Sequence, residues 1–319
     1  MSVQTEGEYE DLLGLWSDLE SGLGVLLGSP FSVQEFQQRV RQYDRWMQDL
    51  LRRDADVGLY LLFQLASSSS VGYSASHALV CAVLCHLIGT ELGIAPEERD
   101  GLVYAALTMN IGMTQLQDEL AQQLERPNAV QMEGIRTHAS RGQALLVQLA
   151  VTNPLWLETI ALHHDDSTGQ GEFRSLSPAR RMARVLRVVD RYAAMISPRK
   201  SREGRSATDS LRSIIGSPEA QGDEVGHTLV RAVGLCPPGT FVRLDNQQIA
   251  VVIRRSPQPN RPFVAIVLEE AGALLKPPRL HRTALGNPGI KAALSASAVQ
   301  ERLNHHLILQ LGAYAGRQG

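Results

Sequence analysis

At 319 residues, with 44% hydrophobic and 20% charged side chains, the chain is long enough for a large buried core, and this composition excludes disorder and collagen-like repeats. Lys and Arg total 31 against 33 for Asp and Glu, a formal charge of -2, so the molecule has no electrostatic reason to coat a nucleic acid polymer or an anionic membrane; any anion site must be local. Cysteines number 3, and Cys81 and Cys85 are spaced as helical neighbours in an apolar stretch, which argues against a disulfide framework and fits a reducing cytoplasm.

The start, MSVQTEGEYEDLLG, is acidic and lacks the basic-then-apolar pattern of a secretory signal. Apolar residues then recur at three and four through Leu12, Leu13, Leu15, Trp16 and Leu19, and again through Phe36, Val40, Tyr43, Trp46, Leu50 and Leu51, predicting a helical N-terminal region over 1–70. Ser32 followed by Glu35 reads as a capping box that starts the second helix. Ser67 to Ser70 reads as a loop. Helical periodicity resumes over 76–92, 96–109, 130–149, 156–164 and 178–196, with a further helix over 209–215. The run His77 to Gly89 falls short of the roughly 20 apolar residues of a membrane span and reads as a buried core helix. Between His164 and Leu176 lies a polar, glycine-bearing surface loop. Past Gly234, β-branched clusters over 240–244, 248–254 and 263–268 predict a small antiparallel β appendage, and the tail over 290–311 reads as helix-compatible. The expected fold class is mainly α, a helical bundle over 71–233 with the N-terminal helices before it and the β appendage over 234–319 behind it.

His77, His138, the adjacent pair His163 and His164, and Asp190 in VLRVVDRYAAM stand out. Each sits in or beside an apolar helix. Singly, such residues are usually satisfied core groups, but imidazole and carboxylate are the donors that divalent transition metals accept, and helices can bring them together from distant parts of a chain.

In this order and spacing the residues resemble the HD-GYP branch of the HD phosphohydrolases, whose members hydrolyse cyclic di-GMP at a two- or three-metal centre; the resemblance spans roughly His77 to Leu244. It implies the HD-domain helical bundle, with His77 as the early ligand, His138 and Gly142 in the second turn, His163 and His164 as the histidine pair and Asp190 as the late carboxylate. Where the family has its HDxGK motif this chain has Met109, Asn110 and Met113, and HHDDSTGQGEF replaces HHExxDGxGYP at identical length, keeping the histidines, Gly169 and Gly171. Tyr73 takes the place of an additional glutamate ligand. The resemblance also implies that Arg199 and Arg202 meet dinucleotide phosphates, a role guanidinium suits. The arginines at 180, 181, 184, 187 and 191 read as a solvated helix face.

The aspartate of the family dyad bridges two metals. Asn110 carries no charge to do this, and Met109 offers only a thioether. One pocket is left with His77 and Asp190. The other keeps His138, His163 and His164, which could hold one divalent ion (Zn, Fe or Mn) or could simply hydrogen-bond among themselves. The expectation is a catalytically impaired HD-GYP-like protein acting as a signalling or protein-interaction module linked to cyclic di-GMP, with a protein partner and a homodimer as further candidates. Residual phosphodiesterase activity at the three histidines is the alternative.

Overall fold

The computed structural model describes residues 4–68, 71–169, 171–201, 203–216, 223–258, 260–299 and 301–317. Three helices open the chain: α1 (Gln4–Gly28), α2 (Phe36–Arg53) and α3 (Ala55–Ser68). Trp16, Phe36 and Met47 are buried, so the apolar stripe of this region packs inward. The expected capping box does not form. Ser32 Oγ donates instead to the Ser29 carbonyl in a short 3₁₀ turn, and Glu35 takes a left-handed conformation (φ 51°), which makes Phe36 the first helical residue. Of the loop expected at 67–70, residues 67 and 68 close α3, and 69–70 lie outside the described residues.

The central element is α4 (Tyr73–Glu91). By length and composition it could cross a membrane, yet 78% of its apolar window is buried within the fold. Leu79, Val80, Val83, Leu84 and Ile88 are each at most 1% exposed. Burying each stabilises the fold by about 1.5–3 kcal/mol, so the apolar sequence of α4 is accounted for by the protein core. Its first turn is held by Asp118, whose carboxylate accepts from the Ser74 amide at 2.7 Å and the Ser74 hydroxyl at 2.7 Å. Around α4 stand α5 (Pro96–Thr108), α9 (Pro178–Ile196) and α11 (Glu224–Val233), with α8 (Pro154–Leu162) packed on α5 and α9. The bundle is completed by α6 (Thr114–Gln122), α7 (Ala129–Gln148) and α10 (Ala207–Ile215). Periodicity left α6 and α11 unread.

The C-terminal part is a five-stranded antiparallel sheet in the order β4-β3-β2-β1-β5, comprising β1 (Phe241–Leu244), β2 (Ile249–Arg254), β3 (Phe263–Leu268), β4 (Leu274–Arg282) and β5 (Ile290–Leu294). The tail expected as helix from 290 is thus first a strand: Ile290–Leu294 pairs with β1, and the last helix, α12, covers only His305–Gly316. One sheet face, through Phe241, Val251, Ile253 and Val267, joins the same core cluster as the helices; the other closes over Val242, Val252, Val264 and Ile266. Arg254 pairs with Asp54 and Asp56, and Arg255 with Asp56, tying β2 to the N-terminus of α3. Before β1, Gly239 (φ 91°) passes so close to α3 that a Cβ would lie 2.9 Å from the Tyr60 carbonyl oxygen. Only glycine fits there.

Candidate metal centre

Two clusters of donors meet where α4, α7, α8 and α9 converge. The first comprises His138 on α7 and the pair His163–His164 just past the end of α8, with one ligand atom from each within 4.8 Å of the others. His138 and His163 are buried and His164 is exposed, so the cluster opens to solvent on one side.

Hydrogen bonds fix the tautomers. His138 Nδ1 lies 2.5 Å from the Ile135 carbonyl and His163 Nδ1 2.6 Å from the Ile160 carbonyl. A carbonyl only accepts, so both Nδ1 atoms carry the proton and both Nε2 atoms present bare lone pairs. Those two Nε2 atoms face each other at 3.3 Å. As neutral rings they cannot bond to one another. Protonating one would solve this, but burial pushes the His163 pKa down to about 3 and lowers that of His138 as well. A cation between them satisfies both lone pairs, and Nδ1–H anchored on a carbonyl is the support that metal-ligating histidines usually have. The three-histidine set fits a divalent metal with an open position on the His164 side.

In the second cluster His77 Nε2 meets Asp190 Oδ1 at 2.8 Å. Burial works to raise the Asp190 pKa, but the His77 hydrogen bond and the imidazoles of His77, His163 and His164 outweigh it and hold the carboxyl below its usual range. The five residues singled out from sequence therefore form two adjoining groups. Cys81 joins the second: its Sγ is 3.7 Å from His77 Nε2. Sequence reasoning missed it, although the i, i+4 spacing of His77 and Cys81 on one helix was readable.

The turn carrying Met109, Asn110 and Met113 packs directly on α7. A Cβ on Gly112 would lie 2.5 Å from the His138 carbonyl oxygen and 2.7 Å from the Gly142 nitrogen, so a glycine two residues after Asn110 is required for this approach. Met109 and Asn110 are buried, while Met113 lines a cleft of about 420 Å³ with Leu27, Phe31, Leu116, Arg141 and Leu145. Where the HDxGK motif would place a cation, the cleft offers a thioether, with Glu119 and Arg141 among the other lining side chains.

Tyr73 stacks on His77 with ring centroids 5.5 Å apart, and the Arg199 guanidinium lies 4.8 Å above the Tyr73 ring while donating to its hydroxyl at 3.1 Å. Arg199 thus stands at the rim of the second cluster with an aromatic partner; Arg202 lies outside the described residues. The arginines of α9 are not a plain solvated face. Arg180 donates to Ser167, Arg184 to the Gly171 carbonyl, and Arg187 to the Asp165 carbonyl and to Asp166, so three successive turns hold the loop that follows the histidine pair. Arg181 reaches Glu98 on α5, and Arg184 also pairs with Asp223 at 2.9 Å. Of the five, Arg191 keeps the solvated position expected of it.

The cyclic di-GMP phosphodiesterase PA4108 of Pseudomonas aeruginosa is 26% identical over 200 residues, 62% of this chain and 48% of that protein. The cyclic di-GMP phosphodiesterase PdeB of Borreliella burgdorferi is 18% identical over 248 residues, 76% of this chain and 65% of its own. The chain therefore spans about half the length of the first and just under two thirds of the second. Among solved structures, Bd1817, an HDG"Y"P protein from Bdellovibrio bacteriovorus, superposes with a TM-score of 0.51 over 70% of each chain at 13% identity, which shows a shared fold. The HD domain family model matches residues 61–220, half of the chain. With its histidines and late aspartate converging inside that span, the chain belongs to the HD-domain family.

Proposed function

We propose that this protein is an HD-GYP domain that has given up two-metal catalysis and works as a signalling or protein-interaction module linked to cyclic di-GMP, holding one divalent metal on His138, His163 and His164. The observation that carries the reading is Asn110. It stands on the turn that packs against His138, at the place where the family's bridging carboxylate would stand, and a neutral amide cannot offset the repulsion of two adjacent dications. The link to cyclic di-GMP is supported by the two curated relatives, both named as phosphodiesterases of that nucleotide. The tautomers of His138 and His163 support the single metal, which when bound would polarise a water or a phosphate oxygen. Its solvent-facing side at His164 is the observation that favours the alternative, a residual phosphodiesterase.

The test pairs metal analysis of the purified protein with a turnover assay on cyclic di-GMP in added manganese or iron. The expected outcome is bound metal that falls in His163→Ala, with no turnover above the metal-free blank. Steady turnover by the wild-type protein that His163→Ala abolishes would replace the impaired reading with the residual enzyme.

A further inference from the structure

Away from the metal centre, a cleft of about 290 Å³ opens where the C-terminal ends of α2, α4 and α11 meet the end of β2. Leu51 and Leu87 give it apolar wall, and among the described residues its charges are the guanidiniums of Arg52, Arg231 and Arg255 against one carboxylate, Glu91. The three arginines come from the N-terminal helices, the bundle and the sheet in turn. Each already has partners. Arg52 pairs with Asp49; Arg231 donates through Nε to Glu91 at 3.3 Å and through Nη2 to Thr228 at 2.6 Å; Arg255 donates through Nε to Asp56 at 2.5 Å and through Nη1 to the Ala232 carbonyl. A guanidinium has five N–H donors, so among the described residues donors are left over on Arg52 Nε and Nη1, Arg231 Nη1 and Arg255 Nη2. The Arg52 and Arg231 ion pairs are exposed on both sides, and exposed pairs hold weakly, so an anion of higher charge can draw both guanidiniums to itself.

The cleft also carries a positive field. His86 lines it with a buried Nδ1 that has no hydrogen-bond partner, and burial, followed by the charges of Arg99 and Arg52, lowers its pKa to about 4. We infer that this cleft is an anion site for a small phosphate-bearing ligand, separate from the metal centre, with Arg52, Arg231 and Arg255 as its clamps. The planar fork of guanidinium matches phosphate oxygens, and the cleft stands at the lower limit of small-molecule sites, which suits a phosphate or pyrophosphate group with at most a small apolar body. His86 lies about 13 Å further along α4 than His77, so the anion does not share the histidine cavity. Because the clamps belong to three parts of the chain, a bound anion ties the N-terminal helices and the sheet to the bundle and stabilises the folded state as a whole.

Titration calorimetry of the full chain with inorganic pyrophosphate tests this, in EDTA so that no metal at the histidines offers a competing site. The expected result is one pyrophosphate per chain, bound about ten-fold or more weakly by Arg52→Ala and by Arg231→Ala, since each removes a charged hydrogen bond. Both side chains are more than half exposed, so the variants should fold, and circular dichroism checks that they do. Arg136→Ala, at an exposed arginine on α7, should keep the wild-type affinity. In proton–carbon NMR spectra the His86 ring signal, identified by its loss in His86→Gln, should shift as pyrophosphate saturates the protein. Absence of heat at millimolar pyrophosphate, or an affinity that Arg52→Ala and Arg231→Ala leave unchanged, would overturn the site.

Discussion

Asp44 shows what a single buried charge does to this fold. It is 1% exposed on α2, accepts from Gln48 Nε2 at 2.9 and 3.0 Å, and burial, helped by Asp100, raises its pKa to about 6 against the opposing pull of Gln48, Arg45 and Arg99. A raised carboxyl binds its proton more tightly in the folded state, so its favourable contribution is complete below pH 3.8 and is lost as pH climbs through 6. Asp44→Asn should therefore stabilise the protein at pH 7–8 by about 2–3 kcal/mol, a gap that closes by about pH 4; urea unfolding at both pH values checks it. At this scale the sequence displayed the identity of the site residues but not their protonation. His77, His138, His163, His164 and Asp190 could be picked out because their order survives. The lone pairs that face each other from His138 and His163 depend on two backbone carbonyls, Ile135 and Ile160, that no pattern of side chains reveals. Cys81 stayed hidden because a cysteine in an apolar helix ordinarily reads as a small hydrophobe.

Among the elements, α9 does more than its amphipathic pattern announces. Arg184 is 8% exposed, and its partner Asp223 both neutralises it and caps α11 by accepting from the Val225 amide at 3.3 Å. Asp223→Ala leaves a buried guanidinium unpaired and should cost on the order of 3–5 kcal/mol. Arg174→Ala, at an exposed pair with Glu224, should cost no more than about 1 kcal/mol. Denaturant midpoints of the two variants measure the contrast. These partners were invisible beforehand because they sit tens of residues away along the chain. The long helices were readable from periodicity, whereas the sheet was only half readable. Pro277 and Pro278 disguise β4, which tolerates them as an edge strand, and the five residues of β5 become a strand only by pairing with β1. The capping signature at Ser32 failed because the chain needed a left-handed residue at Glu35 to turn into α2.

Seen whole, the helices and the inner sheet face share one core, since Val251, Phe241 and Val267 belong to the same cluster as Trp16 and Tyr192. The N-terminal helices, the bundle and the sheet should then melt together. Val251→Ala, a loss of roughly 2 kcal/mol, should lower the transition reported by tryptophan fluorescence from the helices by a few degrees; an unmoved tryptophan transition would mean that the sheet unfolds on its own. Tyr73 and Arg199, 126 residues apart in the chain, are joined across this molecule by one stack at the rim of the cavity. An anion arriving at Arg199 would meet a guanidinium already engaged by that ring, so its capture and the position of the ring would be coupled. The opening turn of α4 is in this way tied to the segment that follows α9 through one guanidinium.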